Sequence, residues 1–177
     1  MAGTLDWTSA LDRPDLLAAP VALALKAWPD GAGAVRVAEI DPDLADTAAF
    51  CETYGVALDI SANCVVLAAK RSGETQLAAC LVLATTRADV NGVARRTLEA
   101  RKASFASMDD AVAATGMEYG GITPIGLPPA WPLLVDAAVA SADEAVVGSG
   151  VRRSKLLLPG ALLATLPGAR VLEGLGR

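Results

Sequence analysis

A loop rich in glycine and proline is the part of this 177-residue chain whose spacing most directly suggests chemistry. It runs from Gly116 to Pro128 and holds four glycines and two prolines within thirteen residues. A helix or a central strand is excluded there, because glycine raises the entropic cost of ordering the backbone and proline removes a hydrogen-bond donor. Such a loop can bring bare backbone N–H groups close to a small polar ligand. A string of ordinary tight turns is the alternative that the spacing leaves open.

The chain contains no histidine, which excludes several kinds of catalytic site. Ser-His-Asp and Cys-His nucleophilic systems, histidine-ligated zinc and an imidazole general base all need that residue. The three cysteines, Cys51, Cys64 and Cys80, have no close pair and lie in apolar surroundings, which favours buried thiols over disulfides or a metal site. We therefore expect no metal and no other cofactor. Catalysis would rely on carboxylates, hydroxyls, lysines, backbone donors or the substrate itself.

The net charge of −5 hides an uneven distribution along the chain. Residues 1–60 carry ten acids and three bases, whereas residues 61–177 carry ten acids and twelve bases. Two basic groups in the later part have the composition of a phosphate-binding surface: one around Arg101 and Lys102, and one formed by Arg152, Arg153 and Lys155. Solvated helix faces have the same composition, so both interpretations stay open.

Composition and length predict one globular domain over residues 1–177, because 53% of the residues are hydrophobic and only 20% are charged. We divide it into a helical N-terminal extension, residues 1–35, and a core, residues 36–177. The apolar runs are far shorter than the roughly 20 residues that span a bilayer, so no membrane segment is expected. The first residues lack the basic and apolar regions of a secretory signal, which favours the cytoplasm.

The patterns of helix and strand are mixed, without regular alternation of the two. Helices are predicted through much of the first forty residues, up to Pro29, and then at 42–54, 89–99, 108–115 and 159–166. Strands are predicted at 35–40, 64–69, 76–85, 104–106, 133–135, 145–147, 155–158 and 169–172. Gly55 and Gly116 are placed to end helices. We expect an α+β fold around a mixed β-sheet that curls towards a barrel and is flanked by helices.

Four landmarks then resemble, in order, the YbaK/prolyl-tRNA synthetase editing-domain family. They are the strand pair at 63–69 and 77–83, the basic-then-apolar stretch 101–106, the loop 115–126, and Gly148-Ser149-Gly150 before a terminal strand and helix. The loop is the specific one, because it has a Thr-Gly followed by Gly-Gly-x-x-Pro-x-Gly. The resemblance covers about residues 40–175.

The resemblance implies hydrolysis of the ester that joins a wrong amino acid to the 3′ end of a tRNA, most often tRNA for proline. In such enzymes a small pocket admits alanine- or cysteine-sized side chains, and the glycine loop presents backbone donors to the carbonyl. Substrate hydroxyls help to position a water, so no protein nucleophile or metal is required. The implied partner is mischarged tRNA rather than a membrane, and a homodimer is an assembly that the sequence allows.

Candidate site residues follow from the resemblance together with the residue types. The candidates for catalysis are Asn63, Gly120, Gly121 and Thr123. The candidates for substrate binding are Gly126, Asp136, Gly148 and Ser149. The candidates for tRNA contact are Arg101, Lys102, Arg152 and Arg153. Each has a structural alternative, such as turn geometry for the glycines and a cap or an ion pair for Asp136.

One departure from the family pattern bears on catalysis. The family usually has a lysine near the start of the first hairpin strand, and Asn63 stands at that position. Lys70 is seven residues away, and an odd separation in a strand places it on the opposite face. We therefore expect the positive charge to be missing from the pocket. Three roles stay open: a deacylase with a different substrate, a module that binds a small ligand or tRNA end without hydrolysis, and a structural or partner-binding relative.

Overall fold

Strands in two open sheets form the framework of this computed structural model, which describes residues 2–177. The strands are β1 (Thr8–Ser9), β2 (Arg36–Glu39), β3 (Ala62–Arg71), β4 (Glu74–Leu83), β5 (Lys102–Phe105), β6 (Leu133–Asp136), β7 (Ala145–Gly148), β8 (Ser154–Leu158) and β9 (Ala169–Leu172). The helices are α1 (Ala19–Lys26), α2 (Pro29–Ala32), α3 (Thr47–Tyr54), α4 (Arg95–Thr97), α5 (Met108–Thr115), α6 (Ala137–Ala140) and α7 (Gly160–Leu163). A π-helical turn, Val90–Ala94, precedes α4, and short 3-10 turns lie at Ala10–Asp12, Pro14–Leu16 and Pro42–Leu44.

The larger sheet has the order β5-β3-β4-β6-β9, and its centre is the long antiparallel hairpin of β3 and β4. The hairpin reverses at Ser72 and Gly73, both of which have a positive φ as two-residue turns require. β6 and β9 add in parallel to one side. The smaller sheet has the order β1-β2-β8-β7, with antiparallel pairs throughout.

Alternation along the strands produces one core shared by both sheets and a separate core on the outer face of each sheet. In β4, Leu81 packs in the shared core, whereas its neighbours Cys80 and Val82 pack in the outer core of the larger sheet. In β8, Leu156 faces the shared core, and Leu157 packs against the helix side with Phe50 of α3. Successive strand residues point to opposite faces, so each strand supplies two cores.

The helix that leads into the glycine loop begins and ends as its sequence predicts. The Ser107 hydroxyl accepts a hydrogen bond from the Asp110 backbone N–H at 3.1 Å, which caps the start of α5. Gly116 ends the helix with a φ of 68°, in the left-handed region that glycine occupies at low cost. This cap turns the chain sharply, and the loop therefore starts at a fixed place.

The mixed α+β architecture is confirmed, but the curled, barrel-like sheet is not. The strands of residues 2–177 form two open sheets that meet beside the start of β3, where Ser61 bridges Val146 of β7. The first 35 residues contain less helix than predicted, because β1 and two 3-10 turns precede α1. Pro14 and Pro20 limit regular helix there, since proline is tolerated only in the first turn. The division into one domain with an N-terminal extension stays a prediction.

Candidate functional site

A cavity of about 300 Å³ lies between the first residues of β3, the segment 45–47, the glycine loop and the paired ends of β7 and β8. It exists because β5 pairs with β3 only from Leu67 to Lys70. The preceding residues of β3, from Ala62 to Val66, pair with β4 on one side and border the cavity on the other. A sheet edge of this kind brings both backbone and side-chain groups to a ligand.

Gly148 allows the glycine loop to approach the end of β7. A Cβ atom at this position would lie 2.4 Å from the Gly121 carbonyl oxygen and 2.7 Å from the Ile122 carbonyl oxygen. Both distances are shorter than a side chain can tolerate, so the position requires glycine. Gly148 also lies opposite Lys155 in the β7–β8 pair. The missing side chain leaves open the part of the cavity that Lys155 lines.

The glycine loop supplies backbone donors to the cavity wall. Gly120 and Ile122 line the cavity, and the N–H of each makes no hydrogen bond with any residue in the described range 2–177. Gly120 has a φ of 88°, which only glycine adopts readily. A Cβ there would also lie 2.2 Å from an Arg152 guanidinium nitrogen. The glycine is thus needed for both its backbone conformation and the arginine packed against it.

Asn63 lines the cavity as a neutral donor whose orientation is set by Thr47. The Thr47 hydroxyl donates to the Asn63 Oδ1 atom at 2.6 Å, across from the start of α3. This bond uses the carbonyl end of the amide and leaves the two N–H groups of Nδ2. Neither has an acceptor among residues 2–177, so both are available to a ligand.

Lys155 was noted in the sequence only as part of a basic group, and its place in the pocket changes the expected charge there. It lines the cavity from β8, the second strand from the edge of the smaller sheet. The expectation of a pocket without a lysine is therefore wrong, although the position differs from that of Asn63. Lys70 pairs with Lys102 at the far end of β3 and is absent from the cavity wall, as its spacing predicts. The sequence signal for this pocket residue was a single lysine within an otherwise apolar strand.

Cys64 lines the same cavity and is half-buried, unlike the buried Cys51 and Cys80, but its thiol is not activated. Burial strongly raises the pKa of Cys64, and the nearby Cys80 raises it further. Burial also raises the pKa of Cys80 to about 12 and raises the pKa of Cys51. These thiols are protonated at neutral pH, whereas nucleophilic attack requires a thiolate. All three cysteines are free, as predicted.

Among the predicted site residues, Asn63, Gly120 and Gly148 line the cavity, and the others do not. Gly121 is buried behind Gly120, and its carbonyl accepts from the Gly150 N–H at 2.7 Å. Thr123 is fully buried, and its hydroxyl has no partner among the described residues. Neither residue is part of the cavity wall.

Gly126 and Ser149 lie away from the cavity wall. A Cβ on Gly126 would meet the Pro20 carbonyl oxygen at 2.6 Å, so this glycine lets the loop pack against the start of α1. The Ser149 hydroxyl accepts from the Ser154 hydroxyl at 2.7 Å and donates to the Val151 carbonyl at 3.1 Å. These contacts place Ser149 in a buried structural network.

Asp136, the remaining candidate, is buried at the carboxyl end of β6. It faces the last residues of the chain, because a Cβ on Gly176 would lie 2.9 Å from an Asp136 carboxylate oxygen. The structure does not bring it to the cavity.

The four basic candidates divide into two kinds. The Arg152 side chain donates to the Pro42 carbonyl at 3.2 Å and to the Tyr119 carbonyl at 3.3 Å, so it ties the glycine loop to the segment before α3. Arg153 donates to the Asp15 carbonyl. Arg101 and Lys102 are exposed, and their side chains have no ion-pair partner within residues 2–177. Their charges are therefore free for a solvent-borne anion.

Two aromatic rings at the rim of the cavity were also missed. Phe105 and Tyr119 line the cavity, yet their exposed fractions are 63% and 52%. Large exposed apolar side chains are informative when they cluster at a concave site. Phe105 is the last residue of β5, the strand that begins with Lys102. The rim thus carries aromatic surface, and the charges of Arg101 and Lys102 lie at the other end of β5.

Residues 2–177 hold neither a metal-binding cluster nor a helix that could span a membrane. No group of three Cys, Asp or Glu side chains gathers closely enough to hold a metal ion. No helix combines the length and apolar character that a bilayer crossing needs.

Comparison with known proteins places this geometry in a family. Two solved structures share the fold with TM-scores of 0.75: a candidate trans-editing enzyme for prolyl tRNA synthetase, at 21% identity, and a scaffold protein from computational epitope grafting, at 22%. Each alignment covers 88% of this chain, with 94% and 95% of the other chain respectively. No curated protein matches significantly. The profile of the aminoacyl-tRNA editing domain matches residues 41–166, a range that holds the whole cavity, and the chain belongs to that family.

Proposed function

We propose that this protein is an aminoacyl-tRNA deacylase that releases a small, wrongly attached amino acid from tRNA, with tRNA for proline as the first candidate. The observation that carries the proposal is a small cavity lined by Asn63, Gly120 and Ile122, each of which has an N–H donor without a partner among residues 2–177. The Cys64 thiol in the cavity wall is protonated, so the wall offers hydrogen-bond donors and no thiolate nucleophile. Membership of the editing-domain family agrees with that chemistry.

Cavity size supports a small acyl group. Ligand pockets commonly have volumes of about 300–1,000 Å³, and this one, at about 300 Å³, is at the lower limit. Selection by exclusion suits such a site, because one methylene in an apolar pocket changes binding by only about 1–3 kcal/mol. A side chain that does not fit is rejected more strongly than a slightly smaller one.

The rim supports a nucleic acid end as the rest of the substrate. Nucleobases stack on aromatic rings, and each such contact contributes about 1–3 kcal/mol. Phe105 and Tyr119 provide exposed rings beside the cavity, and Arg101 and Lys102 provide unpaired charges near Phe105. We propose that the terminal adenosine stacks at the rim while the acyl group enters the cavity. The charges of Arg101 and Lys102 would attract the neighbouring phosphates.

Fixed donors around the ester would accelerate hydrolysis by stabilising the charge that develops on the carbonyl oxygen. One such donor typically lowers the barrier by about 3–4 kcal/mol, because it is oriented before the reaction begins. The Thr47 bond orients Asn63, and the glycine turns fix the Gly120 N–H. Water is the nucleophile in this proposal, and the protein contributes no covalent intermediate.

The second candidate function is binding of a tRNA end or a small ligand without hydrolysis. Asn63 favours it, because a neutral amide stands where the family usually has a lysine. Asn63→Lys restores that residue and separates the two functions experimentally.

The test is single-turnover hydrolysis of tRNA for proline charged with alanine, cysteine or serine, using the wild type beside Asn63→Lys. Correctly charged prolyl-tRNA serves as the control for selectivity. Wild-type hydrolysis well above the spontaneous rate for a small amino acid supports the deacylase. An inert wild type with an active Asn63→Lys variant supports the binding function instead. If both proteins are inert with the whole panel, the proposed function is wrong.

A further inference from the structure

Lys155 is a buried lysine in an unusual setting. Its exposed fraction is 8%, and it lies in β8 with apolar residues on either face of the strand. Lysine is almost never buried to this extent unless its charge is paired. The same residue lines the cavity, so the ammonium belongs to the wall of the candidate site rather than to a closed core.

The contacts of Lys155 leave much of its bonding capacity unused. Its Nζ atom donates to the Ala45 carbonyl oxygen at 2.9 Å and lies 5.1 Å from the centre of the Phe50 ring. An ammonium has three N–H donors, so two have no acceptor among residues 2–177. No carboxylate in that range lies within 4.0 Å of Nζ. The site holds a positive charge with no matching negative group.

The charged and titratable groups around Lys155 do not neutralise it. Asp46 borders the cavity, but its side chain is 80% exposed and faces Arg152, with 3.8 Å between the Asp46 Oδ1 and an Arg152 guanidinium nitrogen. Cys51 of α3 is a neutral thiol at neutral pH, since burial raises its pKa. Arg152 adds positive charge. An electron-rich group of a ligand would supply the missing partner.

We propose that Lys155 is a catalytic residue that donates a hydrogen bond to the carbonyl oxygen of the aminoacyl ester and stabilises the oxyanion formed during hydrolysis. This inference rests on the proposed deacylase function. Ala45 and Phe50 hold the ammonium in place before substrate arrives, which is the preorganisation that such stabilisation needs. The charge enters the cavity from β8 of the smaller sheet and not from β3, where Asn63 stands.

In the proposed step, water attacks the ester carbonyl carbon, and a tetrahedral oxyanion forms beside Lys155. The bond from that carbon to the ribose oxygen then breaks, and the ribose oxygen takes a proton derived from the water. The amino acid leaves as a carboxylate, and the remaining proton goes to solvent. Lys155 keeps its proton throughout, so it acts as an electrostatic donor and not as a base.

The pH behaviour of Lys155 is consistent with that role. Burial is the main cause that lowers the pKa of Lys155 to about 8, and the charge of Arg152 acts in the same direction. The side chain therefore carries its charge at neutral pH and loses it as the pH rises through about 8. The enzyme-dependent part of the rate should fall over the same range.

The test compares single-turnover deacylation by the wild type, Lys155→Met, Lys155→Arg and Lys26→Met, an exposed-lysine control on α1. Loss of one oxyanion donor costs about 100-fold or more in rate, and we expect Lys155→Met to show that loss while Lys26→Met matches the wild type. Lys155→Arg should keep part of the activity and show no decline as the pH passes 8. Thermal unfolding of each variant checks that the fold is intact.

The outcomes separate this inference from the function on which it rests. An active wild type together with an equally active, folded Lys155→Met variant overturns the inference and leaves the deacylase in place. A wild type that is inert with every misacylated tRNA overturns both. If Lys155→Met does not fold, the wild-type pH profile decides, because a rate that keeps its full enzymatic acceleration above pH 8 contradicts a catalytic ammonium.

Discussion

Replacing Lys155 with methionine should stabilise the fold at neutral pH, even though it removes a proposed catalytic group. Methionine is unbranched and fills irregular apolar space, so it can occupy the volume of the lysine stem. The lysine, in contrast, holds a charge at 8% exposure without a carboxylate partner. Keeping that charge out of water costs free energy that the variant does not incur.

The size of the effect follows from the pKa of Lys155, which burial lowers from the ordinary value of 10.5 to about 8. Between these two values the unfolded chain binds a proton that the folded chain does not, so the free energy of unfolding of the wild type rises with pH. One pKa unit corresponds to about 1.4 kcal/mol, so the wild type gains about 3 kcal/mol between about pH 7 and about pH 10.5. Lys155→Met has no such gain, and its advantage over the wild type should shrink by that amount.

Urea unfolding of both proteins at the two pH values measures this difference. A change of about 3 kcal/mol corresponds to a shift of about 1 M or more in the relative urea midpoints, since slopes are typically about 1–3 kcal/mol/M. Lys26→Met serves as the exposed control, and its difference from the wild type should stay nearly constant. A stability difference between Lys155→Met and the wild type that does not change with pH would refute the assignment of a desolvated ammonium.

Three further outcomes are expected. Phe105→Ala should raise the KM for mischarged tRNA by about tenfold with little change in kcat, because a stacking contact contributes about 1–3 kcal/mol. Leu23→Ala, at an equally exposed position on α1, should leave the KM unchanged. Thr47→Val frees the Asn63 amide to rotate, so single-turnover deacylation should slow by about tenfold. A change in KM with no change in the deacylation rate would contradict the orienting role of Thr47. Gly116→Ala should lower the free energy of unfolding by about 1–2 kcal/mol, because the φ of 68° at this position favours glycine. The change should appear as a lower Tm, and an unchanged Tm would refute the role of Gly116 as the helix cap.

The local elements were predictable where the sequence carries a physical signal for their ends. Ser107 and Gly116 fix both ends of α5, and Gly55 ends α3 with a φ of 66°, each as the capping rules require. The hairpin of β3 and β4 followed from two apolar runs around Gly73. Both strands extend further towards the turn than predicted, because exposed residues such as Lys70 pair along an existing ladder without any apolar pattern, whereas β4 ends at Leu83, two residues before its predicted end.

The arrangement in two sheets could not be derived, because it depends on contacts between residues far apart in the chain. β2 pairs with β8 across more than a hundred residues, and no local pattern selects that partner. The place of Lys155 in the pocket could not be predicted for the same reason, because Lys155 donates to the Ala45 carbonyl from a strand 110 residues later. Asn63 and the glycine loop carried motifs and were found, whereas Lys155 carried only an unusual residue type in an apolar strand.

A crystal structure with 3′-alanylamido-3′-deoxyadenosine, in which an amide replaces the labile ester, tests most directly whether the cavity receives the aminoacyl end of tRNA. We expect the alanyl group inside the cavity, its carbonyl oxygen within hydrogen-bonding distance of Lys155 Nζ or the Gly120 N–H, and the adenine against Phe105. An empty cavity at saturating ligand, or the analogue bound at another surface, would contradict the account.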